Sequence, residues 1–362
     1  MIAFPEQTSG VPWPTERWPE SPVGPDVDRE ALAHALQDIR EAPQDQGVTL
    51  ATLVVHRGAV VAEQYGPDTD RDTTLISWSM AKSMTQAIIG MLVLDGRIDI
   101  DAPVDVAEFA GTDKASITMR DLLAMKSGLE FVEDYVDDSI SHCLDMLFGA
   151  GRSDHAAYAA NQRLLHPPGR VWNYSSGTTN ILSRAAAKAW IDRHASVADG
   201  AAAIEASTRA FLHDRLFGPL GMSSAVPKFD QAGTFVGSSY VDATARDFAR
   251  FGLLYLRDGV WDGQRLLPQG WADFARTEVA VDPDPPHFGY GAHWWIWRDE
   301  GGSVAAHGYE GQYIIVLPER DLVVVHLGKI PADVRGPLLA KLHRLIRAFP
   351  ALNTDHAGLA AP

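Results

Sequence analysis

The chain has 362 residues and a formal net charge of −16; 46% of it is hydrophobic and 22% charged. That length fits one large domain or two intimate ones, and an acidic chain with no long Lys/Arg block is a poor partner for nucleic acid or an anionic membrane. Cys143 is the single cysteine, which excludes an intrachain disulfide and a cysteine-based zinc site.

Residues 1–27, rich in proline, glycine and tryptophan, read as an irregular arm lying on the body. They lack a basic region followed by an apolar core, and no apolar run reaches membrane-spanning length, so the expected location is cytoplasmic. Residues 28–42 are amphipathic, with Leu32, Ala35, Leu36 and Ile39 on one helical face. Residues 48–56 and 59–65 read as strands joined at Arg57-Gly58. A long apolar helix then runs from Ser79 to a stop at Asp95-Gly96, and residues 98–104 close that unit. From 105 to 234 the periodicity is mostly helical, with helices expected at 118–126, 154–165, 176–194 and 202–216. Strands return at 303–307, 312–318 and 322–327. Helices flank them at 242–257 and 337–348, the second with Pro337 at its first position. Strands at both ends and helices between them predict an α/β fold of the α+β type: an antiparallel sheet flanked by helices, with an inserted all-helical lobe. The corresponding domains are 1–104 with 235–362, and 105–234, with a site in the cleft between them.

Three segments carry chemistry. Ser79-Met80-Ala81-Lys82 places a hydroxyl and an amine on one helical face, and an amine that takes the hydroxyl proton makes the serine a nucleophile. A serine cap followed by a solvated lysine has the same form. The flanking helix, however, is apolar on nearly every face and should be buried. Burial disfavours the ammonium form, and the helix N-terminus favours an oxyanion. Tyr174-Ser175-Ser176 ends a loop before a helix, where a phenol near a lysine could lose its proton more easily and serve as acid or base; a core tyrosine with a serine cap fits equally. Ala306-His307-Gly308-Tyr309-Glu310-Gly311 offers glycine at a strand end, where close backbone approach could supply an oxyanion N–H; an ordinary hairpin turn reads the same way. The acidic run 133–138 reads as a solvated loop near the cleft. Fingerprints for metal, phosphate or dinucleotide binding are missing, so neither cofactor nor metal is expected.

In this order the three motifs resemble the serine β-lactamase and penicillin-binding superfamily, in its class C, D,D-peptidase and esterase branch, over about residues 30–350. Residues 119–129, Met-Arg-Asp-Leu-Leu-Ala-Met-Lys-Ser-Gly-Leu, are similar to that branch's conserved segment. Phe131-Val132-Glu133-Asp134-Tyr135 and Gly308-Tyr309-Glu310-Gly311-Gln312 look most like the 6-aminohexanoate-dimer hydrolase subgroup. The resemblance implies Ser79 as acylated nucleophile, Lys82 as base or proton relay, and Tyr174 as proton donor supported by Ser176. It implies the Ser79 and Tyr309 N–H groups as oxyanion hole, and Tyr135, Ser176, His307 and Gly308 as substrate contacts. The expected partner is a small-molecule ester or linear amide. The superfamily's third motif is Lys-Thr-Gly, whereas Ala306-His307-Gly308 stands here, and Tyr-x-Asn has become Tyr-x-Ser. Both departures point away from β-lactamase or D,D-peptidase activity, which is the first alternative. A catalytically inactive binding or scaffold protein is the second.

Overall fold

The computed structural model describes residues 2–135, 140–191, 200–284 and 286–352. Helix α1 (Arg29–Arg40) begins where the Asp28 carboxylate accepts the Ala31 N–H at 3.0 Å, an N-cap bond. Strands β1 (Val48–His56) and β2 (Ala59–Tyr65) follow; both turn residues, Arg57 and Gly58, are left-handed, with φ of 54° and 80°, which matches a two-residue hairpin. Strand β3 (Leu75–Ile76) leads through a 3-10 turn at Trp78–Met80 into α2 (Ala81–Leu94), buried at every residue from Ala81 to Leu92. Next come α3 (Met119–Leu123), α4 (His142–Phe148), α5 (His155–Ala160), α6 (Ser176–Ile191) and α7 (Ala201–Leu212). The last runs through a π turn at His213–Phe217 into α8 (Gly218–Leu220). Strands β4 (Val226–Pro227) and β5 (Val241–Ala243) join β3 in a small sheet. Helix α9 (Ala245–Leu256), hairpin β6 (Val260–Trp261) and β7 (Gln264–Arg265), and α10 (Trp271–Arg276) precede the second set of strands. These are β8 (Ala280–Val281), β9 (Gly289–Tyr290), β10 (Trp295–Ile296), β11 (Val304–Gly308), β12 (Gln312–Leu317) and β13 (Leu322–Lys329), with α11 (Arg335–Arg347) last.

Both ends of the chain build one antiparallel sheet, ordered β2-β1-β13-β12-β11-β10-β9-β8. Its central strands are mostly apolar because both faces are covered, with Thr52, Gln312 and His326 as buried polar exceptions. Ile314, Val316, Val323 and Val325 face the core shared with α2, α6 and α9, while Ile315, Leu317, Leu322 and Val324 face α1 and α11. The α/β fold with an antiparallel sheet flanked by helices is therefore the observed one. We keep the division at 104 and 234 as a proposal. Residues 105–234 supply α3 to α8, and their β4 is stitched to β5.

Several boundaries differ from the sequence expectation. The helix expected from 242 starts at Ala245, because Thr244 caps it by accepting the Asp247 N–H at 3.2 Å, leaving Val241–Ala243 to pair as a strand. The helices expected at 118–126 and 154–165 stop at Leu123 and Ala160. Pro337 is the third residue of α11, still in the first turn, where its missing N–H costs nothing. Residues 192–194 lie outside the described residues. Helices α4 and α10 and the two-residue strands were not anticipated. Among the described residues no helix is long and apolar enough to cross a membrane.

Candidate active site

Ser79 sits in the 3-10 turn that opens α2, directly after Trp78, whose φ of 43° is left-handed. A bulky residue there is strained, and such strain gathers at functional turns. Lys82 lies one turn on and is 2% exposed. Its Nζ donates to Ser79 Oγ at 2.9 Å, Ser176 Oγ at 2.8 Å and the Ser238 carbonyl at 3.0 Å. All three contacts of the amine head are thereby fixed, and one of them joins it to the candidate nucleophile. The solvated-lysine alternative is thus ruled out by burial.

Tyr174 and Ser176 reach the same place from the loop before α6. Ser175 accepts the Thr178 N–H at 3.0 Å and caps the helix, so Ser176 is its first residue and turns inward to Lys82. The Tyr174 ring lies 4.9 Å from Lys82 Nζ and packs on Trp295 and Tyr290, with centroids 5.3 and 5.9 Å away. Burial raises the phenol's pKa, and the Lys82 charge opposes this less strongly. This corrects the expectation that a nearby lysine would ease the proton off: desolvation outweighs the cation, and Tyr174 is a neutral phenol, suited to donating.

The residue that the sequence reading missed is Glu133. The acidic run was expected to be solvated, yet the Glu133 side chain is only 8% exposed. Its carboxylate accepts the Ser176 N–H at 2.7 Å, the Ser176 hydroxyl at 2.5 Å and the Tyr135 hydroxyl at 2.5 Å, and lies 4.0 Å from Lys82 Nζ. A buried carboxylate is tolerable only with such partners. Ser176 comes from 43 residues further along the chain and Lys82 from 51 residues before it, which local composition does not reveal. Residues 136–138 of that run lie outside the described residues. Tyr135 keeps its ring 39% exposed at the mouth of the cleft, 5.2 Å from the Tyr309 ring. Ser238 was also missed; it contributes a backbone carbonyl, for which no sequence signal exists.

The opposite wall is the rim of the large sheet. Strand β11 passes so close to the nucleophile turn that a Cβ on Gly308 would collide with the Ser77 carbonyl oxygen. Ser79, Gly308 and Tyr309 line one cleft of about 680 Å³ together with Tyr135, Tyr174 and His307. His307 stacks on Trp295 at 5.2 Å and 8°, and its Nε2 accepts the Trp297 indole N–H at 2.8 Å. Burial pushes its imidazole well below its usual pKa, so it is neutral. Ala306, where the superfamily carries lysine, is packed into the core behind the sheet. Trp295 lines the cleft, while Trp294 and Trp297 are buried in the cores. Arg335, at the start of α11, is a cation on the cleft wall, and its buried Nε has no hydrogen-bond partner. A larger groove, about 820 Å³, lies between the N-terminal arm and Asp262, and no nucleophile–base pair lines it. Among the described residues no three His, Cys, Asp or Glu side chains gather as metal ligands.

Sheet, helices and a serine–lysine pair in the cleft define the β-lactamase and penicillin-binding architecture. The Beta-lactamase family model matches residues 32–346, and the chain belongs to that family. It is 29% identical over 333 residues to 6-aminohexanoate-dimer hydrolase of Paenarthrobacter ureafaciens, covering 88% of this chain and 81% of that one. A Bacillus anthracis structure, provisionally described by the same hydrolase name, superposes with a TM-score of 0.73 at 23% identity, over 92% of this chain and 89% of that one. A family VIII carboxylesterase gives 0.67 at 15% identity, over 91% and 99%. These structural likenesses establish the fold, and the family's named hydrolases support hydrolysis as the type of reaction.

Proposed function

We propose that this protein is a serine hydrolase that cleaves small esters or linear amides through an acyl-enzyme on Ser79. The observation that carries this reading is the buried Lys82 Nζ, 2.9 Å from Ser79 Oγ, in a cleft that also holds Tyr174. In acylation Ser79 Oγ bonds to the substrate carbonyl carbon. Its proton passes to Lys82, Lys82 passes one to Tyr174, and Tyr174 gives its own to the departing alcohol or amine. The carbonyl oxygen, now charged, faces the N–H groups of Ser79 and Tyr309. Water then attacks the acyl carbon, its proton returns through the same relay, and the acid leaves. Ser176 and Glu133 hold Lys82 on this path. The relative from Paenarthrobacter ureafaciens carries the name 6-aminohexanoate-dimer hydrolase; two such amino acids are joined through an amide, which supports the amide arm of the proposal.

A β-lactam is a poor fit to the sheet wall, where a buried alanine and a neutral histidine replace the third-motif lysine and threonine. Intact-protein mass spectrometry after brief exposure to p-nitrophenyl esters should show one acyl group on wild type and none on Ser79→Ala. An acyl adduct on the variant, or nitrocefin turnover faster than ester turnover, would refute this reading.

A further inference from the structure

An oxyanion hole works only if two N–H groups on separate chain segments keep a fixed spacing. Here the proposed donors, Ser79 and Tyr309, are 230 positions apart, and the segments carrying them are not paired as strands. Each donor is flanked by one left-handed non-glycine residue: Trp78, φ 43°, immediately before Ser79, and Glu310, φ 60°, immediately after Tyr309. Those two strained residues are bonded to each other. The Trp78 indole N–H donates to Glu310 Oε2 at 3.2 Å. The Trp78 ring also meets Tyr309 edge-on, with centroids 6.0 Å apart at 86°, and leans on Tyr240 at 5.8 Å. Below the turn, Gln312 Nε2 donates to the Tyr309 carbonyl at 3.1 Å and the Gly328 carbonyl at 2.7 Å, while the Gly328 N–H donates to Gln312 Oε1 at 3.1 Å. The Tyr309 segment is thus anchored to the sheet on one side and to the nucleophile turn on the other.

We propose that the Trp78–Glu310 hydrogen bond is a cross-tie that sets the spacing of the two oxyanion donors. Both are positioning residues: neither touches the reacting atoms, and each holds the backbone that does. Two left-handed residues next to the two donors, joined by their own side chains, have no comparable role in the sheet or the core. Strain of this kind persists only where the surroundings enforce it, and here each residue enforces the other.

This inference rests on the hydrolase reading, and its test separates the two. Acylation of wild-type Ser79 by a p-nitrophenyl ester checks the hydrolase reading; no acylation refutes it and the cross-tie together. With acylation present, Glu310→Ala and Trp78→Phe should each lower kcat for a small ester about tenfold with KM nearly unchanged. Each should weaken binding of a boronic acid, a tetrahedral mimic on Ser79, by the same factor, as expected when only transition-state contacts are lost. Glu310→Gln retains an acceptor oxygen and should restore most of the loss. The double variant should be no worse than either single one, because both remove one interaction. Wild-type kcat in Glu310→Ala, unchanged boronate affinity, or additive effects would overturn the cross-tie. Glu310 lies on a half-buried turn, so its variants decide the matter even if Trp78→Phe folds poorly.

Discussion

On the helical side of the cleft, Lys82 meets three oxygen acceptors within 3.0 Å and a carboxylate at 4.0 Å. On the sheet side, Trp295 stacks on a neutral His307, and the position that elsewhere in the superfamily carries lysine is a buried alanine. One wall is saturated with polar contacts, and the other is aromatic and carries no cation on its strands. On the proposed reading the proton chemistry belongs to the helical wall, whose hydrogen bonds are linked. On the same reading the sheet wall, with the ring faces of Phe288 and Trp295 and with Arg335 further along the cleft, would select the substrate. One family fold could then change its substrate while keeping its serine–lysine pair, because the two walls are built from different elements.

The sharpest way to break that assignment is to delete the relay itself. Lys82→Ala should lower kcat/KM for a p-nitrophenyl ester by about a thousandfold, the order expected when a positioned acid–base group is removed, with an unchanged circular dichroism spectrum showing that the fold is kept. Stopped-flow measurement of the acylation phase checks this. Acylation at the wild-type rate would move the proton chemistry elsewhere.

A second prediction concerns the sheet half, where two buried histidines, His293 and His326, and His307 on the cleft wall stay neutral. Burial pushes His293 down to about 3 and His326 down to about 4, and holds His307 well below its usual range. Their folded-state values lie below the unfolded value near 6.5. Between those limits the unfolded chain binds more protons, so the stability they protect is full above about pH 6.5 and is lost as pH falls. Each histidine contributes up to about 1.4 kcal/mol per pH unit in that window. Thermal midpoints should therefore fall steeply from pH 6.5 to 5.5 and stay flat from 7.5 to 6.5. A flat curve across the lower interval would show that these rings can be charged in place.

The contrast between the walls also explains what could be read from the sequence. Strands β1, β2, β12 and β13 were legible because they are long apolar runs bounded by turn residues. Ser79, Lys82 and Tyr174 were legible because motif spacing on a helix or before one is local information. Strands β8 to β10 are two residues long, too short for any period, so the aromatic wall they carry could not be drawn beforehand. The Tyr174 phenol was misjudged because a neighbouring charge can be seen in sequence and desolvation cannot. Glu133 was misjudged for the same reason: an acidic run implies solvent until Ser176 and Lys82, from distant parts of the chain, close around it.

Glu133→Gln tests that buried carboxylate. A carboxylate accepts at both oxygens, one taking the Ser176 N–H and the other two hydroxyls; an amide accepts at one only. If the amide oxygen keeps the Ser176 N–H, the amide NH2 faces the Ser176 and Tyr135 hydroxyls, which must turn round to accept, and the negative charge beside Lys82 is lost. A buried hydrogen bond to a charged group is worth about 1.5–3 kcal/mol, so kcat should fall about tenfold or somewhat more. The pH profile of kcat/KM should also move to lower pH, since a nearby carboxylate favours protonated partners. A loss with an unmoved profile would make Glu133 a purely structural residue.

The smallest effect belongs to Tyr135, where the two walls meet. Its hydroxyl is turned inward to Glu133 and its ring lies against Tyr309 at the cleft mouth. Because the hydroxyl is already engaged, contact with substrate falls to the ring, and the two parts of the side chain should separate in kinetics. Tyr135→Phe removes one of the donors around Glu133 and should lower kcat about threefold with KM unchanged, less than the roughly 1.5–3 kcal/mol of a buried bond to a charge because Tyr135 is partly exposed and two Ser176 donors remain. Tyr135→Leu removes the ring as well and should raise KM about threefold beyond that, more for aryl esters than for acetate. Equal KM values in the two variants would show that the ring does not contact substrate. A kcat in Tyr135→Phe equal to wild type would show that the Tyr135–Glu133 bond lies off the relay, leaving Ser176 alone to join Glu133 to Lys82.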